Sequence, residues 1–200
     1  MNKLLLLLCL ALAACVTSGK RGGDAPMAVY DLGTPVEKRL AGDTTPALAT
    51  EVRAPYWFDS LGIEYRLAYS DPARLRDYAQ ARWAGPPAGL IELRLIQELG
   101  LVPLGQGGAR CLIRVDVEEF SQIFDTPQSS RGVLVARAAL LDRSRNKLAE
   151  LPVKVEKPAP TADSRGGVTA LAATVAQMAG DVGAWRAELG RSGRLKACEK

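Results

Sequence analysis

The 200-residue chain contains no histidine. Imidazole is the usual general base near neutral pH, the partner of most serine and cysteine nucleophiles, and the commonest metal ligand. Triad hydrolases and His-ligated zinc enzymes are therefore excluded, while carboxylate, lysine or tyrosine chemistry stays open. The chain also lacks a basic block of five or six residues. Its 26 Lys+Arg against 22 Asp+Glu give a diffuse +4, a poor argument for nucleic acid. It further lacks a membrane-spanning run at its apolar N-terminus. Leu4 to Ala14 is eleven residues long, about half of a ~30 Å hydrocarbon core at ~1.5 Å per residue. What remains, 48% apolar and 24% charged residues, describes one ordinary globular domain with a short appendage.

The N-terminus reads as a secretory signal: one positive charge in Met1 to Lys3, the apolar run, then an abruptly polar, Gly-rich stretch from Thr17 to Asp24. Leu12-Ala13-Ala14-Cys15 resembles the bacterial lipobox, in which a diacylglycerol thioether is added to the cysteine before cleavage. Cys15 is the expected lipidation site and the first mature residue. Two or more acyl chains, each CH₂ contributing about 0.8 kcal/mol, give stable membrane attachment. Val16 follows Cys15 and no aspartate does, the pattern of lipoproteins released to the outer membrane. Residues 1–14 are thus the signal, 15–27 a lipidated flexible tether, and 28–200 one periplasmic domain. Removal of the signal takes one lysine and leaves +3.

Of four cysteines, Cys9 leaves with the signal and Cys15 is alkylated, so Cys111 and Cys198 remain in an oxidising compartment, where two free thiols usually pair. They are the disulfide candidate.

Apolar periodicity gives the organisation. Ala28 to Leu32 reads as a short strand. Ala47 to Phe58 contains an extended stretch with Leu48, Thr50, Val52 and Ala54 on one side, and Ile63 to Tyr69 alternates. Asp71-Pro72 looks like a helix start, with Asp as N-cap and Pro at the first position, for a helix running to Trp83. A second helix, Ala88 to Leu99, is apolar over most of its circumference. Leu112 to Phe120, Gly132 to Asp142 and Ala149 to Glu156 alternate as an antiparallel meander with one buried side. From Val168 to Leu189 a stripe at three- and four-residue spacing predicts a long amphipathic helix. The expected fold is α+β and two-layered: a mostly antiparallel sheet covered by a helix pair and the long C-terminal helix.

Three motifs invite chemistry and fail on context. Ser144 to Lys147 has Ser-x-x-Lys spacing but falls in a hairpin turn, with no Lys-Thr-Gly or Ser-Asp-Asn after it. Gly105 to Gly108 precedes a strand rather than a helix and lacks the Lys-Ser/Thr of a phosphate loop. Asp116, Glu118 and Glu119 lie on a strand, where neighbours point to opposite faces and a solvated surface is the simpler reading. No metal site is expected. The aromatics say more: Tyr56, Trp57 and Phe58 are consecutive, with Tyr65 and Tyr69 on the next strand. They mark an interface if exposed and core if buried. Trp83 and Trp185, at helix ends, fit packing.

Ala28-Val29-Tyr30-Asp31-Leu32, Ala54-Pro55-Tyr56-Trp57-Phe58-Asp59, Gly62-Ile63-Glu64-Tyr65-Arg66, Arg74 to Tyr78 and Arg82-Trp83-Ala84 resemble the auxiliary lipoproteins of ABC-type transport systems. This group includes the paraquat-inducible protein C lipoprotein and is associated with MCE-domain lipid transporters. Tyr56-Trp57-Phe58-Asp59 stands where a Tyr-Leu-Asp type sequence is usual. The resemblance implies a non-enzymatic, outer-membrane-anchored periplasmic lipoprotein without a cofactor. It also implies docking on an MCE-domain protein and, as in members of the group, assembly into a homo-oligomeric ring. Tyr56, Trp57, Tyr65, Arg66 and Trp83 are the partner-binding candidates. The alternatives are an assembly lipoprotein that plugs a β-barrel translocon of the lipopolysaccharide-transport type, and a carboxylate hydrolase, for which no linear signal speaks.

Overall fold

The computed structural model describes residues 26–35, 47–106 and 108–199. The signal, Cys15, most of the tether and Gly107 lie outside them. In chain order the elements are β1 (Ala28–Tyr30), β2 (Leu48–Arg53), β3 (Gly62–Leu67), β4 (Asp71–Trp83), α1 (Pro87–Leu99), β5 (Val102–Pro103), β6 (Cys111–Thr126), β7 (Ser129–Leu141), β8 (Lys147–Pro158) and α2 (Ser164–Arg191). A 3-10 helix, Arg194–Cys198, closes the chain. The result is the α+β fold that the periodicity predicts.

β6 organises the sheet. One side carries the antiparallel β6–β7–β8 meander. The other is shared: β2 runs parallel to its first half, from Leu48↔Cys111 to Arg53↔Asp116, and β3 parallel to its second, from Tyr65↔Gln122 to Leu67↔Phe124. β4 pairs with β3, and β1 extends the sheet beside the end of β4. The sheet is mixed, with its longest ladders antiparallel. A register shift between Val117 and Glu119 makes a bulge in β6. Before it Ile113, Val115 and Val117 are buried, and after it Phe120, Gln122 and Phe124. The extra residue reverses the alternation, so β6 continues six residues past Phe120, where simple alternation ends.

One expected helix is absent: Asp71 to Trp83 is β4, a strand, and the helix pair reduces to α1. The Asp-Pro start signal is local, whereas β4 is held by distant partners, Arg76 opposite Tyr65 and Trp83 beside Tyr30. Pro72 lies at the start of the strand, where a missing donor is tolerated. At the other end Ala81 and Trp83 are buried while Arg82 between them is exposed, the period of two that only a strand produces.

α1 and α2 cover one face of the sheet. α1 starts at Pro87, with the Asp59 carboxylate accepting from the Ala88 N–H at 3.0 Å. It ends at Gly100, which takes the left-handed conformation (φ 62°). It is less buried than its composition suggests, since Leu93 is 51% exposed. α2 is N-capped by Asp163, whose carboxylate accepts from the Gly166 N–H at 2.8 Å. Its buried stripe includes Val168, Leu171, Val175, Met178, Val182 and Leu189. Two glycines let it approach the sheet. A Cβ on Gly132 would lie 2.8 Å from the Ala170 carbonyl carbon, and one on Gly167 would lie 1.9 Å from Gln122 Oε1. The outer face carries surface ion pairs, among them Arg114–Asp116, Arg137–Glu118 and Lys147–Glu150. Such exposed pairs contribute little stability, about 0–1 kcal/mol each.

Candidate functional site

The aromatic stretch between β2 and β3 folds into a pinned turn. Phe58 is 3% exposed and anchors it. The Phe58 N–H donates to the Pro55 carbonyl at 2.8 Å, the Asp59 side chain caps α1, and the Trp83 N–H donates to the Leu61 carbonyl at 2.8 Å. With the turn held from three sides, Tyr56 and Trp57 point outward, 83% and 47% exposed. Their ring centroids are 4.9 Å apart, edge to face, a geometry that the ring quadrupoles favour.

The other candidates hold this turn or the sheet behind it. Arg66 forms an ion pair with Glu119 at 3.2 Å, and its guanidinium lies 5.9 Å from the centre of the Phe58 ring. Tyr65 is half-buried between Tyr78 and Phe124, at 4.7 and 5.8 Å. Trp83 is corrected outright as a contact residue. It is 1% exposed and stacks on Phe120 at 5.7 Å, so no partner can reach it in this fold.

Beside the turn, Glu64 and Asp77 face each other across β3 and β4. Burial first, and the Asp77 charge second, push the Glu64 carboxyl from 4.5 up to about 6. The folded state holds this proton more tightly than the unfolded chain. The resulting stability is complete below about pH 4.5 and is lost as pH rises through about 6. Half-burial screens the effect to about 1 kcal/mol. Glu64→Gln is therefore expected to raise the unfolding free energy by about 1 kcal/mol near neutral pH and to leave it unchanged near about pH 4. Equal urea midpoints for the two proteins at neutral pH would contradict this.

The remaining motifs are structural. Ser144 to Lys147 is the β7–β8 turn, where the Asp142 carboxylate accepts from both the backbone and side-chain nitrogens of Asn146. Asp116, Glu118 and Glu119 each meet an arginine: Arg114, Arg137 and Arg66. Among the described residues no three metal-ligating side chains gather, and no helix is long and apolar enough to cross a membrane. Cys111, the first residue of β6, and Cys198, at the end of the 3-10 helix, form a disulfide across 87 residues with a Cα–Cα distance of 5.3 Å.

One feature escaped the sequence reading. Arg94 on α1 is buried beside Glu98 at 3.1 Å and donates to three consecutive carbonyls, those of Leu32, Gly33 and Thr34. It clamps the segment after β1 against the helices. Open pockets of about 470 and 480 Å³ lie on either side of the clamp. The only hint in the chain is a charged pair at i, i+4 inside an apolar helix.

The domain is a mixed sheet with a single helical layer, crosslinked by a disulfide, with an exposed aromatic pair on the turn between β2 and β3. The chain belongs to the family of ABC-type transport auxiliary lipoprotein components, whose model matches residues 30–183. It is thus an auxiliary component of an ABC transport system, with the membrane-associated periplasmic location that this role carries. No curated protein matches the chain. Among the solved structures that share the fold are two similar over most of the chain. The crystal structure of protein XCC0632 from Xanthomonas campestris is 18% identical, with a TM-score of 0.64 over 84% of this chain and 96% of that one. The crystal structure of an uncharacterized protein is 16% identical, with a TM-score of 0.62 over 80% and 97%.

Proposed function

We propose that acyl chains on Cys15 hold the protein at the periplasmic face of the outer membrane. There it serves, without catalysis, as the auxiliary component of an ABC system that moves lipid between membranes, with an MCE-domain protein as partner and a ring of copies as the working form. The observation that carries this reading is the family match, which runs from Tyr30 to Gly183. The lipobox-like Leu12 to Cys15 and the absence of a following aspartate support the address. Tyr56 and Trp57 are the outward-facing aromatic pair of the domain; Arg66 and Trp83 support the turn that carries them, and Tyr65 packs into the sheet behind it.

The test is purification of the intact lipoprotein from detergent extract after cross-linking in cells. Recovery of an MCE-domain protein together with an ATPase and permease is the expected result. Recovery of a β-barrel protein without an MCE protein would overturn the reading in favour of the translocon alternative.

A further inference from the structure

The exposed apolar side chains concentrate where the chain enters the domain. Met27, Val29, Tyr56, Trp57 and Leu61 make up five of the eight large hydrophobic residues exposed among those described. The sheet brings Val29 and Leu61 to one corner. Val29 is beside Arg82, Arg82 is opposite Gly62, and Trp83 bonds to Leu61. Val29 and the Leu61–Gly62 pair are therefore two strand spacings apart, about 10 Å. Trp57 lies four residues before Leu61 in the turn between β2 and β3. A scatter of single apolar residues calls for no explanation, but a cluster rooted at the chain entry does.

We propose that this corner lies on a lipid bilayer surface, with Tyr56 and Trp57 at headgroup depth. The proposal rests on Cys15 being acylated. Cys15 is eleven residues before Pro26, where the described chain begins; for the Gly-rich tether expected from the sequence, that length corresponds to a reach of roughly 20 Å. The corner nearest the chain entry is thus the part of the domain held closest to the membrane. Tyrosine and tryptophan are the side chains that favour the membrane–water interface, being apolar in body and polar at one tip. The anchor makes contact intramolecular, at an effective concentration of about millimolar, so even a weak surface is occupied. Charges on the corner are mixed: Asp59, Glu64 and Asp77 against Arg66 and Arg82. That balance suits a zwitterionic surface rather than a strongly anionic one. The opposite end of the molecule is left free for protein. Val168 lines a pocket together with Tyr30, and Arg191, 23 residues on along α2, lies about 35 Å away at 1.5 Å per residue.

The acylated full-length protein, reconstituted into phosphatidylcholine vesicles with and without brominated acyl tails, tests this by tryptophan emission. Of the three tryptophans, Trp83 is buried and Trp185 packs against the core, so quenching by lipid reports Trp57. Brominated tails are expected to quench part of the emission, and Trp57→Phe to abolish that quenching while the protein still floats with the vesicles. Protein that floats but shows no quenching overturns the membrane contact and leaves the acylation reading intact. Failure to float, with an unmodified Cys15 by mass spectrometry, overturns the acylation reading and this inference with it. Emission blind to brominated lipid but shifted by the solubilised transport complex would assign the pair to a protein partner, against the proposal.

Discussion

Trp83→Ala is expected to destabilise the domain by about 3–5 kcal/mol, the range for emptying a large aromatic site in a packed core. The indole is 1% exposed, it stacks on the buried Phe120 ring, and it belongs to the same buried cluster as Ile63. It also stands at the junction of three segments: its N–H bonds to Leu61, Tyr30 lies beside it in β1, and α1 begins four residues later. Truncation leaves a cavity that these segments cannot close without breaking the ladder between β1 and β4. Trp57→Ala, in the same aromatic family and 47% exposed, is expected to change stability by no more than about 0.5 kcal/mol. Urea unfolding of both variants separates the two roles. A Trp83→Ala protein with a wild-type midpoint would show that the residue is not core.

Cys198→Ser is expected to cost about 2–4 kcal/mol, the usual worth of a crosslink closing a long loop once native-state strain and residual denatured structure are allowed for. For a chain of this size the melting temperature falls by roughly 2–4 °C per kcal/mol, so about 5–15 °C in all. The loop spans 87 residues and contains β6, β7, β8 and all of α2, so the bond restricts much of the unfolded chain. In the folded state both sulfurs are buried, and Leu195, three residues before Cys198, is 2% exposed. Losing the bond frees the 3-10 helix and uncovers Leu195. Melting the wild type with and without reductant should reproduce the difference. Identical midpoints would show that the two thiols are not paired in the protein.

Where order is dictated locally, the chain announces it. The β6–β8 meander follows from strict alternation, as in Leu134, Ala136, Ala138 and Leu140, all buried. α2 follows from a stripe that only a helix can align, from Val168 to Leu189. What stays hidden depends on partners distant in sequence. β4 carries a helix-start signal and few apolar residues, and it is a strand because β3 and β1 supply its hydrogen bonds. The second half of β6 is lost to linear reading because the bulge at Glu118 reverses the phase. At the site, aromatic density singles out Tyr56 and Trp57, but their exposure follows from the buried Phe58 and the Asp59 cap, which only the fold brings together. Trp83 looks the same in sequence and is core. The role of Arg94 is hidden beyond its i, i+4 pairing with Glu98, since the groups it donates to are backbone carbonyls 60–62 residues away.

The proposed acylation of Cys15 is what would hold the domain at a membrane. Labelled palmitate fed to cells making the wild type and Cys15→Ser, followed by membrane fractionation and intact-mass analysis, tests it most directly. The wild type should begin at Cys15 with its acyl chains, carry label and sediment with the outer membrane. The variant should carry no label and should not be processed to Cys15. Equal labelling and equal membrane association of the two proteins would contradict the account.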